Sequence, residues 1–295
     1  MSLSNTGGGG RGSDKGEIVG SVILHGKKQY WLKGGQYHYH HGMQAGENTL
    51  DAIITNVLLK DMIKNVGFKQ PEFVSSYITF MTTPGSHNDA YAGTCHRMFF
   101  KNLVAGREPS DCPDNDSHNV DAIDALMIVP PIVLSMLTSD KDARDGAIAS
   151  AIGSTRNTSQ VLPFAYIYGD MLVSVASGRK TVQEAAVDGG RLLGLDVAAA
   201  VRRGGADPMT ACYITSSFPA MLHFAYKYGD NFERMLLASA NAGGENVARG
   251  SLLGALGGAF TGFQALPQSL VQGLVAGRVL DSEADNFVEL FGPRE

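Results

Sequence analysis

Two short strings place a carboxylate beside an amide at the start of an apolar periodic run. One is Gly46-Glu47-Asn48-Thr49; the other is Gly243-Gly244-Glu245-Asn246. At a helix start the unpaired backbone N–H groups and the positive end of the dipole favour negative oxygen. Glu47, Asn48, Glu245 and Asn246 in such places suit a phosphate, ribose hydroxyls or a hard cation. The repeat of Gly-Glu-Asn at two helix starts suggests one shared site. Taken singly, each string is also what helix capping alone would select.

Other polar groups could join such a site. Residues 85 to 119 are irregular and rich in His, Asn and Asp, and long ordered loops tend to be functional. Within and just after that stretch, His87-Asn88-Asp89, Asp114, Asp116, His118 and Asp121 offer ligand contacts or, equally, the turn-forming side chains of a solvated loop. Asp121 and Asp124 stand three apart, so a helix would put them on one side. In Tyr37-His38-Tyr39-His40-His41, an extended chain would set His38 and His40 on one face. That permits a soft-metal site but supplies no cysteine partner, and packing with local hydrogen bonds is the competing reading. Cys95 is read as structural, because adjacency to His96 builds no dyad. Tyr166, Tyr168, Tyr226 and Tyr228 follow helical spacing as core or cleft wall.

The elements that must carry these residues are helical. Leu50, Ile53, Ile54, Val57, Leu58 and Met62 follow an i, i+3, i+4, i+7 pattern that Gly67 and Pro71 end. A second run covers Phe73 to Met81, and a short helix is expected near Met98 to Leu103. Helical patterns resume over 120–138, 141–152, 159–177, 181–193, 216–229, 231–242, 246–262 and 267–276. Thr181 with Glu184 forms a capping box. Pro130-Pro131 and Pro163 imply kinks or later starts. Small residues at Gly250, Gly254 and Gly257-Gly258 suggest that the helix after Glu245 lies close against its neighbours. Only residues 17 to 33 alternate like strands, enough for one small N-terminal extended hairpin. The expected fold is all-α, a compact multi-helix domain over 16–295, preceded by a flexible leader at 1–15.

Composition narrows the function classes. With 24 Lys+Arg against 29 Asp+Glu the net charge is −5, which offers no basic field for a nucleic-acid polymer or an anionic membrane. A mean hydropathy of −0.04 excludes a membrane bundle. Three scattered cysteines, with no paired spacing, argue against a disulfide framework or structural zinc and fit a reducing cytoplasm.

The run from Phe218-Pro219 through Tyr228-Gly229-Asp230, Ala240-Asn241-Ala242-Gly243-Gly244-Glu245, Gly254-Ala255-Leu256-Gly257-Gly258-Ala259 and Leu266-Pro267 resembles the C-terminal signature of the ADP-ribosylglycohydrolase superfamily. That signature reads roughly A-N-x-G-G-D-x-D-T, then G-A-x-x-G-A. Gly46-Glu47-Asn48-Thr49-Leu50 resembles the threonine-aspartate-aspartate-threonine segment opening an earlier family helix. Asp124 to Pro131 and Ser154-Thr155-Arg156-Asn157 sit where the family has its middle segments. The pairing of the two Gly-Glu-Asn strings looks most like the crystallin-J1-type branch.

The resemblance spans about residues 36 to 280. It implies an all-α domain whose cleft holds two magnesium or manganese ions that orient the ribose of ADP-ribose for hydrolysis at its C1'' glycosidic bond. This chain departs at Asn48, Val247, Ala248 and Arg156, where the family has ligands. The expectation is therefore one Mg²⁺ or Mn²⁺ ion, held by Glu47, Asn48, Thr49 and Glu245 with waters. Glu47 and Glu245 are then the catalytic carboxylates. Asn48, Asn88, Asp89, Asp121, Asn157, Gly243, Gly244 and Asn246 are the ligand contacts. Direct amide contacts to ribose without metal form the alternative. The family's first helix finds only a weak echo in Gly16-Glu17-Ile18-Val19-Gly20, as if the chain started downstream of it. The implied partner is an ADP-ribose-like small molecule or an ADP-ribosylated substrate. A binding module without turnover, or a crystallin-like structural protein, are the competing functions.

Overall fold

The structure, a computed structural model, describes residues 18–31 and 37–292. The expected leader at 1–15 lies outside the described residues. Thirteen α-helices and no strand occur among them: α1 (Leu50–Asn65), α2 (Gln70–Thr82), α3 (Thr94–Val104), α4 (Val129–Ser135), α5 (Lys141–Gly153), α6 (Leu162–Ala176), α7 (Val182–Leu192), α8 (Val197–Arg202), α9 (Ile214–Tyr228), α10 (Phe232–Ala242), α11 (Val247–Thr261), α12 (Gln268–Gln272) and α13 (Gly277–Phe291). The all-α expectation holds. No helix among the described residues is long and apolar enough to cross a membrane.

The N-terminal piece is not a hairpin. Gly20 N donates to Ile23 O at 2.7 Å and Val22 N to Ile18 O at 2.9 Å, so residues 18–24 close on themselves as a turn. A 3₁₀ helix (Lys28–Trp31) follows. The apolar alternation had another cause: Ile18, Val19, Ile23, Leu24 and Trp31 are all buried against the helical core.

Where the sequence carried explicit stop and start chemistry, the elements follow it. The Thr181 hydroxyl accepts from Glu184 N at 3.2 Å while the Glu184 carboxylate accepts from Thr181 N at 2.8 Å, closing the box at the head of α7. The single run expected over 120–138 is broken into a 3₁₀ turn (Ile123–Leu126) and α4, whose first turn holds Pro130 and Pro131. Proline is tolerated there because the first-turn N–H groups lack helical acceptors anyway. The run expected over 267–276 shortens to α12, and α13 continues the chain.

The core is built from α6, α7, α9 and α11, with α4 and α10 packed on them and α1 joined to α2 and α13. The Tyr168 hydroxyl donates to Leu252 O at 2.9 Å, tying α6 to α11 inside the core. Of the small residues along α11, only Gly257 is closely packed: a side chain there would press on Met235 and Phe232 of α10. Gly250, Gly254 and Gly258 face open space.

Candidate active site

Three non-helical segments are zipped together beneath the start of α1. Thr210 bridges to Gly244, and Glu245 N donates to Thr210 O at 2.9 Å. Tyr213 bridges to Ala122, with Ile123 N on Cys212 O at 2.9 Å and Ile214 N on Asp121 O at 3.1 Å. Residues 210–214 therefore hold the Asp121–Asp124 turn on one side and the Gly243-Gly244-Glu245 turn on the other. Gly243 and Gly244 have φ of 79° and 75°, a region that favours glycine. At Gly244 any side chain would also overlap the Thr210 backbone.

The site's floor is three carboxylates on three segments: Asp51 in the first turn of α1, Asp124 on the 3₁₀ turn and Glu245 just before α11. Asp51 Oδ1 accepts from His96 Nε2 at 2.9 Å, and His96 Nδ1 meets the Tyr77 hydroxyl at 2.7 Å; Tyr77 and His96 are buried. Both nitrogens of the Arg156 fork reach Asp124 Oδ2 at 3.2 Å. Gly93 lies between these pairs, since a Cβ on it would touch His96, Asp124 and Cys95. Glu245 takes Ala248 N at 3.1 Å, capping α11.

The electrostatics follow from burial and these neighbours. Burial pushes the Glu245 carboxyl up, the Ala248 amide opposes this, and the negative charges of Asp124 and Asp51 add to the rise. Burial also works against charge on Asp51, but His96, Arg156 and His40 outweigh it and hold the carboxyl below its usual range. His96 is pulled down by burial and raised further by Cys95, Tyr77 and Asp51, ending well above an ordinary imidazole.

The structure distributes the expected residues unevenly. Glu47 Oε2 accepts from Gln44 N at 2.6 Å and from Asn88 Nδ2 at 2.9 Å, and these bonds lower its carboxyl. Asn88 Oδ1 in turn accepts from Lys27 at 2.9 Å. Glu47 and Asn88 thus form a polar rim. The strongest like charges on Glu245 are Asp124 and Asp51, whereas the acid acting on Glu47 is Asp89. Asp89 is buried and accepts from Leu50 N at 2.8 Å, Tyr91 N at 3.0 Å and His40 Nδ1 at 2.9 Å. Thr49 is the N-cap residue of α1 but makes no capping bond, and its hydroxyl oxygen is buried without a partner. Asn48 beside it is half-buried.

Asp121 Oδ1 takes the Thr158 hydroxyl and Asn115 Nδ2, which binds the carbonyl of exposed Asn157. These contacts stitch loops to each other. Asn246 is likewise engaged: its amide donates to Ala240 O at 3.2 Å and accepts from Arg249 at 2.8 Å. Arg249 is fully buried, binding Ser239 O and Gly243 O at 2.7 and 2.9 Å, the carbonyl end of α10.

Sequence reasoning missed Asp51, His96 and Arg249. The signal for Asp51 was its place in the first turn of α1, where an acid favours the dipole. Nothing local joins it to His96, 45 residues away.

A hard cation fits this floor. The Thr49 hydroxyl oxygen and Asp124 Oδ1 are buried and unpartnered; Thr49 shares its segment with Asp51, and the charges of Asp124 and Asp51 both act on Glu245. All four are oxygen donors, and a positive ion would relieve the repulsion felt at Glu245. Among the described residues no three His, Cys, Asp or Glu side chains close on a metal by themselves. The arrangement suits an ion that keeps several waters, as Mg²⁺ does.

The family described as ADP-ribosylglycohydrolase matches residues 15–295. Among solved structures, an "ADP-ribosylglycohydrolase-related protein complex" aligns with a TM-score of 0.61 at 16% identity, covering 94% of each chain. That likeness shows the fold. No curated protein matches the sequence. The helix order and the match over residues 15–295 lead to one assignment: the chain belongs to the ADP-ribosylglycohydrolase family.

Proposed function

We propose that the chain hydrolyses a glycosidic bond of an ADP-ribosyl group, N- or O-linked, over the Asp51–Asp124–Glu245 floor. The observation that carries this is the pair of buried, unpartnered oxygens, Thr49 Oγ1 and Asp124 Oδ1, in a site whose third acid is raised by burial and, further, by Asp124 and Asp51. Mg²⁺ or Mn²⁺ would be held by Thr49, Asp51, Asp124 and Glu245, and when bound would supply charge to orient ribose hydroxyls and polarise water. The residues' own work is positional. His96 and Arg156 each hold one oxygen of an acid and leave the other for the ligand. Glu47 and Asn88 form a rim that can take polar groups of the substrate, and Gly243-Gly244 makes the close turn against Thr210 that sets Glu245 in place.

The test is release of ADP-ribose from peptides ADP-ribosylated on arginine or on serine, in the presence of Mg²⁺. Turnover on at least one class is expected, reduced about 100-fold or more in Glu245→Gln. An unchanged rate in the variant, with the fold intact, would remove Glu245 from the site.

A further inference from the structure

The buried carboxylate of Asp89 does more than cap α1. It is 1% exposed and accepts four contacts: Leu50 N, Tyr91 N, and His40 Nδ1 on both oxygens at 2.9 and 3.0 Å. With Nδ1 directed at the two oxygens of a carboxylate that also accepts two backbone amides, Nδ1 carries the proton, and in the neutral ring the lone pair is on Nε2. Nε2 makes no hydrogen bond to a described residue, and the side chain is 24% exposed. The residue is fixed by its backbone and by neighbouring rings as well. His40 N donates to His38 Nδ1 at 3.2 Å, and Tyr91 and His38 flank the imidazole at 6.2 and 5.9 Å between ring centres.

Position completes the arrangement. Asp89 Oδ2 spans from His40 to the first N–H of α1, and the next residue of that helix is Asp51. Asp51, Asp89 and Glu245 all act on the charge of the His40 ring. A carboxylate that orients an imidazole, whose other nitrogen bonds no described residue on a partly exposed ring, is the arrangement of a general base.

We propose that His40 is a catalytic residue, the base that takes a proton from the attacking water, with Asp89 as its positioning residue; this rests on the hydrolytic reading above. Water gives one proton to Nε2 as its oxygen bonds to the anomeric carbon. The glycosidic electron pair leaves with the acceptor group, which takes a proton from solvent, and His40 returns its own proton to solvent. Neither oxidant nor further reactant is needed.

A purely structural staple between residues 37–49 and α1 would need only the Nδ1 bond, which separates the two roles. In His40→Asn the amide nitrogen stands near the Nδ1 position and can keep the bond to Asp89 while Nε2 is lost. The expected result is an unfolding midpoint and ADP-ribose affinity close to the unmodified protein's, with release of ADP-ribose from the peptides slowed about 100-fold or more. Turnover within a few-fold of the unmodified rate would overturn the proposal.

A second measurement needs no variant. Diethyl pyrocarbonate should carbethoxylate His40 on Nε2, located by peptide mass spectrometry, and ADP-ribose should slow that reaction. Protein that binds ADP-ribose by calorimetry but leaves His40 unprotected overturns the His40 role and leaves the hydrolytic reading standing. Protein that neither binds ADP-ribose nor releases it overturns both.

Discussion

Arg156 shows how closely single residues are tied to charge in this cleft. Its guanidinium is 4% exposed, and Asp124 is the acid that pairs with it. Burial alone would pull the arginine down, yet Asp124, Cys95 and Asp51 raise it further. Asp124→Asn leaves a buried cation without its counter-ion, and loss of about 3 kcal/mol in urea unfolding is expected. A variant as stable as the parent would mean that Arg156 is neutralised elsewhere. Gly244 carries a different constraint. Its φ of 75° and the Thr210 backbone against it leave no room for a methyl group, so Gly244→Ala should cost about 2 kcal/mol or more and displace Glu245. Thermal unfolding and ADP-ribose affinity should fall together in that variant. These residues also mark what was legible. The Gly-Gly-Glu turn was readable because its chemistry is local, whereas Asp51 and His96 meet only through the packing of α1, α2 and α3. Matching of the two Gly-Glu-Asn strings drew attention to Glu47, which sits at the rim with Asn88, three residues before the helix and four before Asp51.

Among the elements, the segment leading into α9 does the most to position the site. It is anchored by Asp207, which accepts from His223 at 2.9 Å, Lys227 at 2.7 Å and Tyr228 at 2.7 Å, all on α9. Three residues on, Thr210 begins the bridges that hold the Glu245 and Asp124 turns. Partial burial pushes the Asp207 carboxyl up, but the bonds from Lys227, His223 and Tyr228 win and bring it down to about 2. A depressed carboxyl stabilises the fold above its unfolded value, near 4, and that contribution fades as pH falls from about 4 to about 2. Asp207→Asn should therefore lower stability by about 1 kcal/mol at neutral pH, after allowance for solvent screening. The gap between variant and parent should narrow below about pH 4 and close only below about pH 2 in pH-resolved thermal unfolding. A gap that persisted unchanged in acid would assign the effect to hydrogen-bond geometry and not to charge. The helices themselves were readable wherever period and capping agreed, as in α1 and α7. Residues 18–31 misled because their alternating apolar side chains are buried by a turn against helices, a tertiary effect that a period of two cannot distinguish from a strand.

At the scale of the whole molecule, the segment that leads into α1 meets the segment between α12 and α13. Gly46, with φ of 85°, is pressed against the carbonyl of Gly273, and its own carbonyl accepts from Val275 N at 2.9 Å. Lys60 of α1 pairs with Glu283 of α13 at 3.3 Å, so the C-terminal helix buttresses the helix that carries Asp51. This closure was invisible in sequence, because the expected helical runs stopped at 276, before α13, and Gly46 was read as part of a cap. What does emerge from sequence is the order of helices and the signature that carries the family. The central claim is that four residues from three distant segments, Thr49 and Asp51 at the start of α1, Asp124 on the 3₁₀ turn and Glu245 before α11, form one cation-assisted site for ADP-ribose. Isothermal titration of ADP-ribose into metal-stripped protein, with and without Mg²⁺ or Mn²⁺, tests it most directly. The account predicts binding that strengthens about tenfold or more when the ion is present, equivalent to about 1.4 kcal/mol. Equal affinity with and without metal, or no binding in either condition, would contradict it.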